Sequence, residues 1–202
     1  MNRNLSPAHI GLVSTLLILV AVAARLAPHP VNFGAVGAVA LFSGYYFRSP
    51  RFSWMVPMAA MLVSNVLLGG YDLLQMVLVN AAIVMPAFFG HHLHRDFAAG
   101  PRWLRSLVRF GAFVGASLAG SALFFVFSNL AVWGFSGMYA HTIDGLVYCY
   151  LVALPFIQQD QSMALVGGTV VGDLLYNGLL FGSLAVVVAL RERRPAVLPV
   201  AA

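Results

Sequence analysis

Residues 106–133 read SLVRFGAFVGASLAGSALFFVFSNLAVW, and Arg109 is the only ionisable residue among them. A helix needs about 20 consecutive apolar residues to cross the hydrocarbon of a bilayer, and this run exceeds that length. Its small residues recur at a spacing of four. Gly111, Gly115 and Ala119 share one helical face, with Ala112, Ala116 and Gly120 beside them. Such faces let helix backbones approach closely in lipid, where van der Waals packing replaces the hydrophobic effect. Gly168 and Gly172 repeat the spacing near the C-terminal end.

Working outward from this run, further apolar stretches lie at about 9–27, 32–47, 53–70, 73–92 and 164–190. The whole chain agrees with them. Of its 202 residues 61% are hydrophobic and 8% charged, and the mean hydropathy is +0.89. A soluble domain carries roughly 25% charged residues. So few charges cannot solvate a surface of this size, and lipid is the natural solvent. The expected fold is an all-α integral membrane bundle of six transmembrane helices, one domain over residues 1–202.

The charges orient the bundle. The net charge is +5, and every basic residue is Arg. Arg3, the pair Arg48 and Arg51, the group Arg95, Arg102 and Arg105, and the group Arg191, Arg193 and Arg194 stand between or beyond the apolar runs. With six spans all four groups fall on one side, which the positive-inside rule makes cytoplasmic. Both termini are then expected in the cytoplasm, in the inner membrane of a bacterium. Dispersed arginines form no basic stripe, so nucleic acid is not expected as a partner. A secretory signal is the competing reading of the first run, because Ala21-Val22-Ala23 has the small residues of a cleavage site. Residues 142–156 are apolar but short for a crossing. They are expected to form a re-entrant or interfacial helix in the long last outer loop.

The polar residues collect on the outer side. Expected ligand-binding residues are Arg25, His29, Asn32, Asp72, Asn129, Trp133, Tyr139, His141, Asp144, Tyr148 and Asp173. Aromatic rings mixed with hydrogen-bonding groups suit an organic solute, although Trp and Tyr also gather at membrane interfaces without a ligand. Arg25 and Asp173 stand out, because ionisable groups inside spans are costly and usually paired. They read as a structural ion pair, as ligand contacts or as an ion-coupling site. Ser64-Asn65 and Ser128-Asn129 form a weak internal echo at matching depth.

His91, His92 and His94 with Asp96 have a metal-like spacing, but no second group of ligands accompanies them. No metal or cofactor is expected. No HExxH, GxSxG or Gly-rich phosphate loop is present, and no enzyme activity is expected. The single Cys149 excludes an intrachain disulfide. A Cys149–His141 nucleophile and base pair would need geometry that an eight-residue spacing does not supply.

Several motifs together carry a resemblance over most of the chain. They are Arg25-Leu26-Ala27-Pro28-His29-Pro30-Val31-Asn32-Phe33, Ala40-Leu41-Phe42-Ser43-Gly44, Ser128-Asn129 with Trp133, Tyr139 with Thr142, Gly145-Leu146, Pro155-Phe156 and Gly172-Asp173. The sequence resembles an uncharacterised family of bacterial integral membrane proteins described as candidate transport proteins. More distantly it is similar to the substrate-binding S components of energy-coupling-factor vitamin transporters. That likeness implies six helices, an outward pocket lined by the first, third and fifth loops, and uptake of a vitamin-like solute. It also implies a transmembrane coupling subunit with ATPases as partner, since the chain has no nucleotide-binding motif. Phe135-Ser136-Gly137-Met138-Tyr139 through Thr142 resembles the solitary cobalamin-transporting type. Those members place a cysteine between the third and fourth spans, where this chain has Gly70-Tyr71-Asp72-Leu73-Leu74. A non-transport accessory or assembly subunit of a membrane complex is the alternative reading.

Overall fold

The computed structural model describes residues 6–29, 33–47, 49–70, 72–93, 101–154 and 168–192, which are all-helical apart from turns and connections. The elements are α1 (Pro7–Leu26), α2 (Val36–Phe47), α3 (Pro50–Leu68), α4 (Leu73–Val84), α5 (Pro86–His92), α6 (Arg102–Phe135), α7 (Ile143–Ala153) and α8 (Thr169–Glu192). Among the described residues, five segments are long and apolar enough to cross a membrane: α1, α3, α4 with α5, α6 and α8. The chain is therefore built as a multi-pass membrane protein.

Local chemistry sets the boundaries. Ser6 caps α1 by accepting from the His9 amide, and Pro7 follows it. Proline at the first helical position loses no hydrogen bond. Gly69 ends α3 in the left-handed region, φ 81°, which glycine enters without strain. Asp72 caps α4 through the Gln75 amide. The fourth apolar run, continuous in sequence, breaks at Met85–Pro86 into α4 and α5, because Pro86 supplies no amide to the ladder.

The second expected span is the main departure. Only Val36–Phe47 is helical, about 18 Å at 1.5 Å per residue, well short of a hydrocarbon core. Its place in the bundle explains how a short helix persists. α2 touches α1, α3, α4, α5, α6 and α8, and most of its residues are buried. Protein, rather than lipid, solvates it on all sides. The core follows: Leu17 and Ala21 of α1, Val36, Val39 and Phe42 of α2, and Val56, Ala60 and Met61 of α3. The outer perimeter stays apolar, with Leu12, Leu16, Leu19, Leu179 and Val186 exposed, as a lipid-facing surface should be.

The tightest helix contact is α2 on α5. A Cβ at Gly44 would collide with the Ala87 carbonyl, and one at Gly90 with the Leu41 carbonyl. The small-residue face expected of α6 is used only in part. Gly120 lies under Pro86, while Gly111 and Gly115 have nothing within 4 Å of a built Cβ. Gly172 of α8 meets Phe33 and the Gly34 amide nitrogen.

α7 is short, 11 residues. Thr142 caps it through the Gly145 amide, and it packs on α6 with Cys149 and Ala153 buried. Its other face exposes Ile143, Val147 and Leu151.

Candidate functional site

Six elements leave a cavity of about 290 Å³ between them. The end of α1 and the connection after it contribute Arg25 and His29, and the entry to α2 contributes Gly34, Val36 and Gly37. Met61 of α3, Val79 and Ile83 of α4, Pro86 of α5 and Gly120 and Phe124 of α6 form the apolar wall. Thr169 and Asp173 of α8 complete it. The cavity lies toward the α1–α2 connection and the start of α8. The starts of α3 and α6 and the end of α8, which carry Arg51, Arg102, Arg105, Arg109 and Arg191, are at the opposite end.

Two buried polar networks supply its charged walls. Arg25 Nη1 donates to Ser64 Oγ at 2.8 Å and Asn65 Oδ1 at 3.0 Å, with Met61 Sδ at 2.9 Å. Asn65 in turn donates to Asn80 Oδ1 at 3.4 Å. On the other wall, Asp173 Oδ2 accepts from Ser121 Oγ at 2.6 Å. Asn177, one turn further along α8, donates to Ser117 Oγ at 3.0 Å. Gly37 makes room for the carboxylate, since a Cβ there would stand 2.5 Å from Asp173 Oδ1.

Arg25 and Asp173 therefore share a cavity without sharing a bond. No ion pair joins the two among the described contacts: Arg25 bonds to Ser64 and Asn65, and Asp173 to Ser121. Serine and asparagine hydroxyls and amides replace water around both groups, which lowers the cost of keeping them inside the bundle.

Of the other expected ligand residues, His29 alone is among those that line this cavity, and Asn32 lies outside the described residues. Asp72 is spent on its helix cap. Asn129 donates to the Phe125 carbonyl, and Trp133 to the Ala140 carbonyl at 3.0 Å. Trp133 also meets the His141 ring edge-on, and Tyr139 meets Tyr148 in the same way. Asp144 is exposed in the first turn of α7. These groups fasten α7 and its approach loop to α6. Tyr150 adds a bond to the Val126 carbonyl at 2.6 Å. Cys149 contacts the Asn129 carbonyl oxygen at 3.5 Å and is buried. It is not joined to His141.

The histidine motif is likewise divided. His91 Nε2 lies 3.1 Å from Ser53 Oγ, and His92 Nδ1 lies 2.8 Å from the Phe88 carbonyl oxygen. His94 and Asp96 fall outside the described residues. No group of three metal-ligating side chains occurs among the described residues.

The internal echo does not survive as structure. Ser64 and Asn65 hold Arg25, whereas Ser128 and Asn129 satisfy themselves on the preceding turn of α6. What sequence reading passes over is the polar company of Asp173, namely Ser117, Ser121 and Asn177. The signal was there: Ser117 with Ser121 and Asp173 with Asn177 are spaced by four within apolar runs, so each pair lies on one helical face.

A known sequence family covers almost the whole of this chain. Residues 6–197 match the family of unknown function DUF6580. The chain belongs to DUF6580. No curated protein matches it, and no solved structure does. The comparisons thus add no named transporter or S component beside this DUF6580 chain, and its activity has to be argued from the cavity.

Proposed function

We propose that this protein is a membrane-embedded binding and uptake protein for a small organic solute, of the S-component type, with its pocket facing outward. The carrying observation is the cavity that holds Arg25 and Asp173 on separate walls. Ionisable groups within a membrane bundle mark solute or ion paths by default. The apolar remainder of the lining suits an organic molecule.

In this reading α2 completes a six-crossing bundle by lying inside it, and the arginine-bearing end faces the cytoplasm. α7 is an interfacial or re-entrant element over the outer half of α6. Energy for uptake would come from a coupling subunit, and the open Gly111–Gly115 face of α6 is available to a helix of such a partner. The same open face favours the accessory-subunit alternative. The cavity volume argues against a corrinoid. At about 290 Å³ it lies at the small end of ligand pockets, which run about 300–1,000 Å³, and suits a much smaller solute.

Val79 lines the cavity from α4. Val79→Trp should fill the cavity while leaving both polar networks in place. Cells expressing the wild-type protein should deplete a solute from a defined mixture faster than cells without it. Cells expressing Val79→Trp at equal abundance should lose that advantage. Equal depletion by the variant would separate uptake from the cavity.

A further inference from the structure

We propose that the seam between α6 and α8 binds a Na⁺ ion, held by oxygens of Asp173 and Asn177 from α8 and of Ser117 and Ser121 from α6. The site adjoins the solute cavity, and the inference goes beyond solute binding. A spacing of four puts Asp173 and Asn177 on one face of α8, and Ser117 and Ser121 on one face of α6. Two hydrogen bonds join these faces: Ser121 Oγ to Asp173 Oδ2 at 2.6 Å, and Asn177 Nδ2 to Ser117 Oγ at 3.0 Å. All four side chains are buried, with Asn177 1% and Asp173 6% exposed. The inference asks nothing of Arg25, which is engaged on the α3 wall.

The seam is rich in acceptors and short of donors. Asn177 Oδ1 is fully buried and has no hydrogen-bond partner among the described residues. Asp173 takes its hydrogen bond at Oδ2 alone among them. Ser121 has a single hydroxyl hydrogen, yet its oxygen lies near both Asp173 Oδ2 and, at 3.2 Å, the Ser117 carbonyl oxygen. A buried acceptor without a donor is costly, and a buried carboxylate without a compensating charge more so. Water could donate to the free oxygens but would leave the negative charge. A cation meets both needs at once. Carboxylate, amide and hydroxyl oxygens suit a hard ion. A single carboxylate balances a single positive charge, which favours a monovalent ion over Mg²⁺ or Ca²⁺. The quarters are close, since a Cβ at Gly37 would stand 2.5 Å from Asp173 Oδ1. Close quarters and a carboxylate's strong field favour Na⁺ over the larger K⁺. Thr169, one turn before Asp173, lines the cavity with it, so the cavity is the ion's way in.

The test uses full-length protein in lipid nanodiscs with no solute added, so its outcome is independent of the depletion experiment with Val79→Trp. Thermal unfolding is followed as choline chloride is replaced by NaCl, KCl or MgCl₂ at constant ionic strength. An ion that binds only the folded state stabilises it by mass action. For a Kd of about 10 mM or less, raising Na⁺ from about 1 to about 100 mM should raise Tm by at least about 3 °C. KCl over the same range should move it by less than about 1 °C. Radiolabelled Na⁺ should bind the wild-type protein and be displaced by unlabelled NaCl but not by KCl. Asp173→Asn and Asn177→Leu should each abolish the Na⁺ response. Equal shifts with Na⁺ and K⁺, a larger shift with Mg²⁺, or no shift with Na⁺ would overturn the site. An undiminished Na⁺ response in Asp173→Asn would overturn it too. Because the salts are compared on the unmodified protein, poor folding of either variant leaves the decision in place.

Discussion

Gly90→Val should prevent accumulation of folded protein, and Gly44→Val should do nearly the same. At Gly90 a Cβ would run into the Leu41 carbonyl and stand 2.7 Å from the Tyr45 amide nitrogen. At Gly44 it would run into the Ala87 carbonyl. These neighbours are backbone atoms of α2 and α5, so no side chain can turn aside. Overpacking typically costs 1–3 kcal/mol, and a backbone collision belongs at or above the top of that range, about 3 kcal/mol. Proteins are stable by only about 5–15 kcal/mol, and α2 is the helix that every other long element touches. Gly115→Val is the control, since nothing lies within 4 Å of its built Cβ. Fluorescence-detected size exclusion should show a monodisperse peak for Gly115→Val and aggregate for Gly90→Val.

The second large effect concerns the charged walls. Arg25→Ala deletes the donor to Ser64 and Asn65, and hydrogen bonds to a charged group contribute about 1.5–3 kcal/mol each. Asn65 is buried, so its carbonyl loses a partner that water cannot easily replace. Asp173→Ala removes the acceptor for Ser121, with a loss of about 2 kcal/mol expected on the same basis. The two residues sit in separate networks. Their losses in detergent should add, because residues without contact or shared partners are nearly independent. Had they formed the ion pair that their depth suggests, the double variant would recover part of the loss. Thermal denaturation of the four proteins of the cycle, with a coupling energy within about 0.5 kcal/mol of zero, is the expected result.

The sequence carried the long helices well, for a physical reason. Lipid demands an unbroken apolar run, and α1, α3, α6 and α8 each show one that hydropathy reads directly. α2 was less legible. Its apolar run gave a span from 32 to 47, yet the helix starts at Val36, and a run apolar all round does not say whether protein or lipid surrounds it. The break at Pro86 shows the same limit in reverse. The proline was visible, but whether it kinks or ends a helix depends on the neighbours that press on it, here Gly120.

The candidate site was half legible. Arg25 and Asp173 stood out because charge in an apolar run needs a reason, and His29 came with the same outer connection. All three line the cavity. The aromatic residues of the last outer loop did not join them. Trp133, Tyr139, His141 and Tyr148 find partners among one another and on nearby backbone. Composition places such rings at an interface but cannot say which way they turn. The apolar lining from Met61, Val79, Ile83 and Phe124 carried no signal, since those residues look the same facing lipid or facing a cavity.

Mass spectrometry of small molecules carried through purification tests the solute-binding claim most directly. Wild-type protein, Val79→Trp and Tyr148→Ala would be purified in parallel from the same cells, and their extracts compared. Tyr148 is exposed on α7, away from the cavity. One small organic solute should be enriched with the wild-type protein and with Tyr148→Ala, and absent from Val79→Trp. A solute retained by Val79→Trp and lost from Tyr148→Ala would place binding at the outer loop and contradict the account.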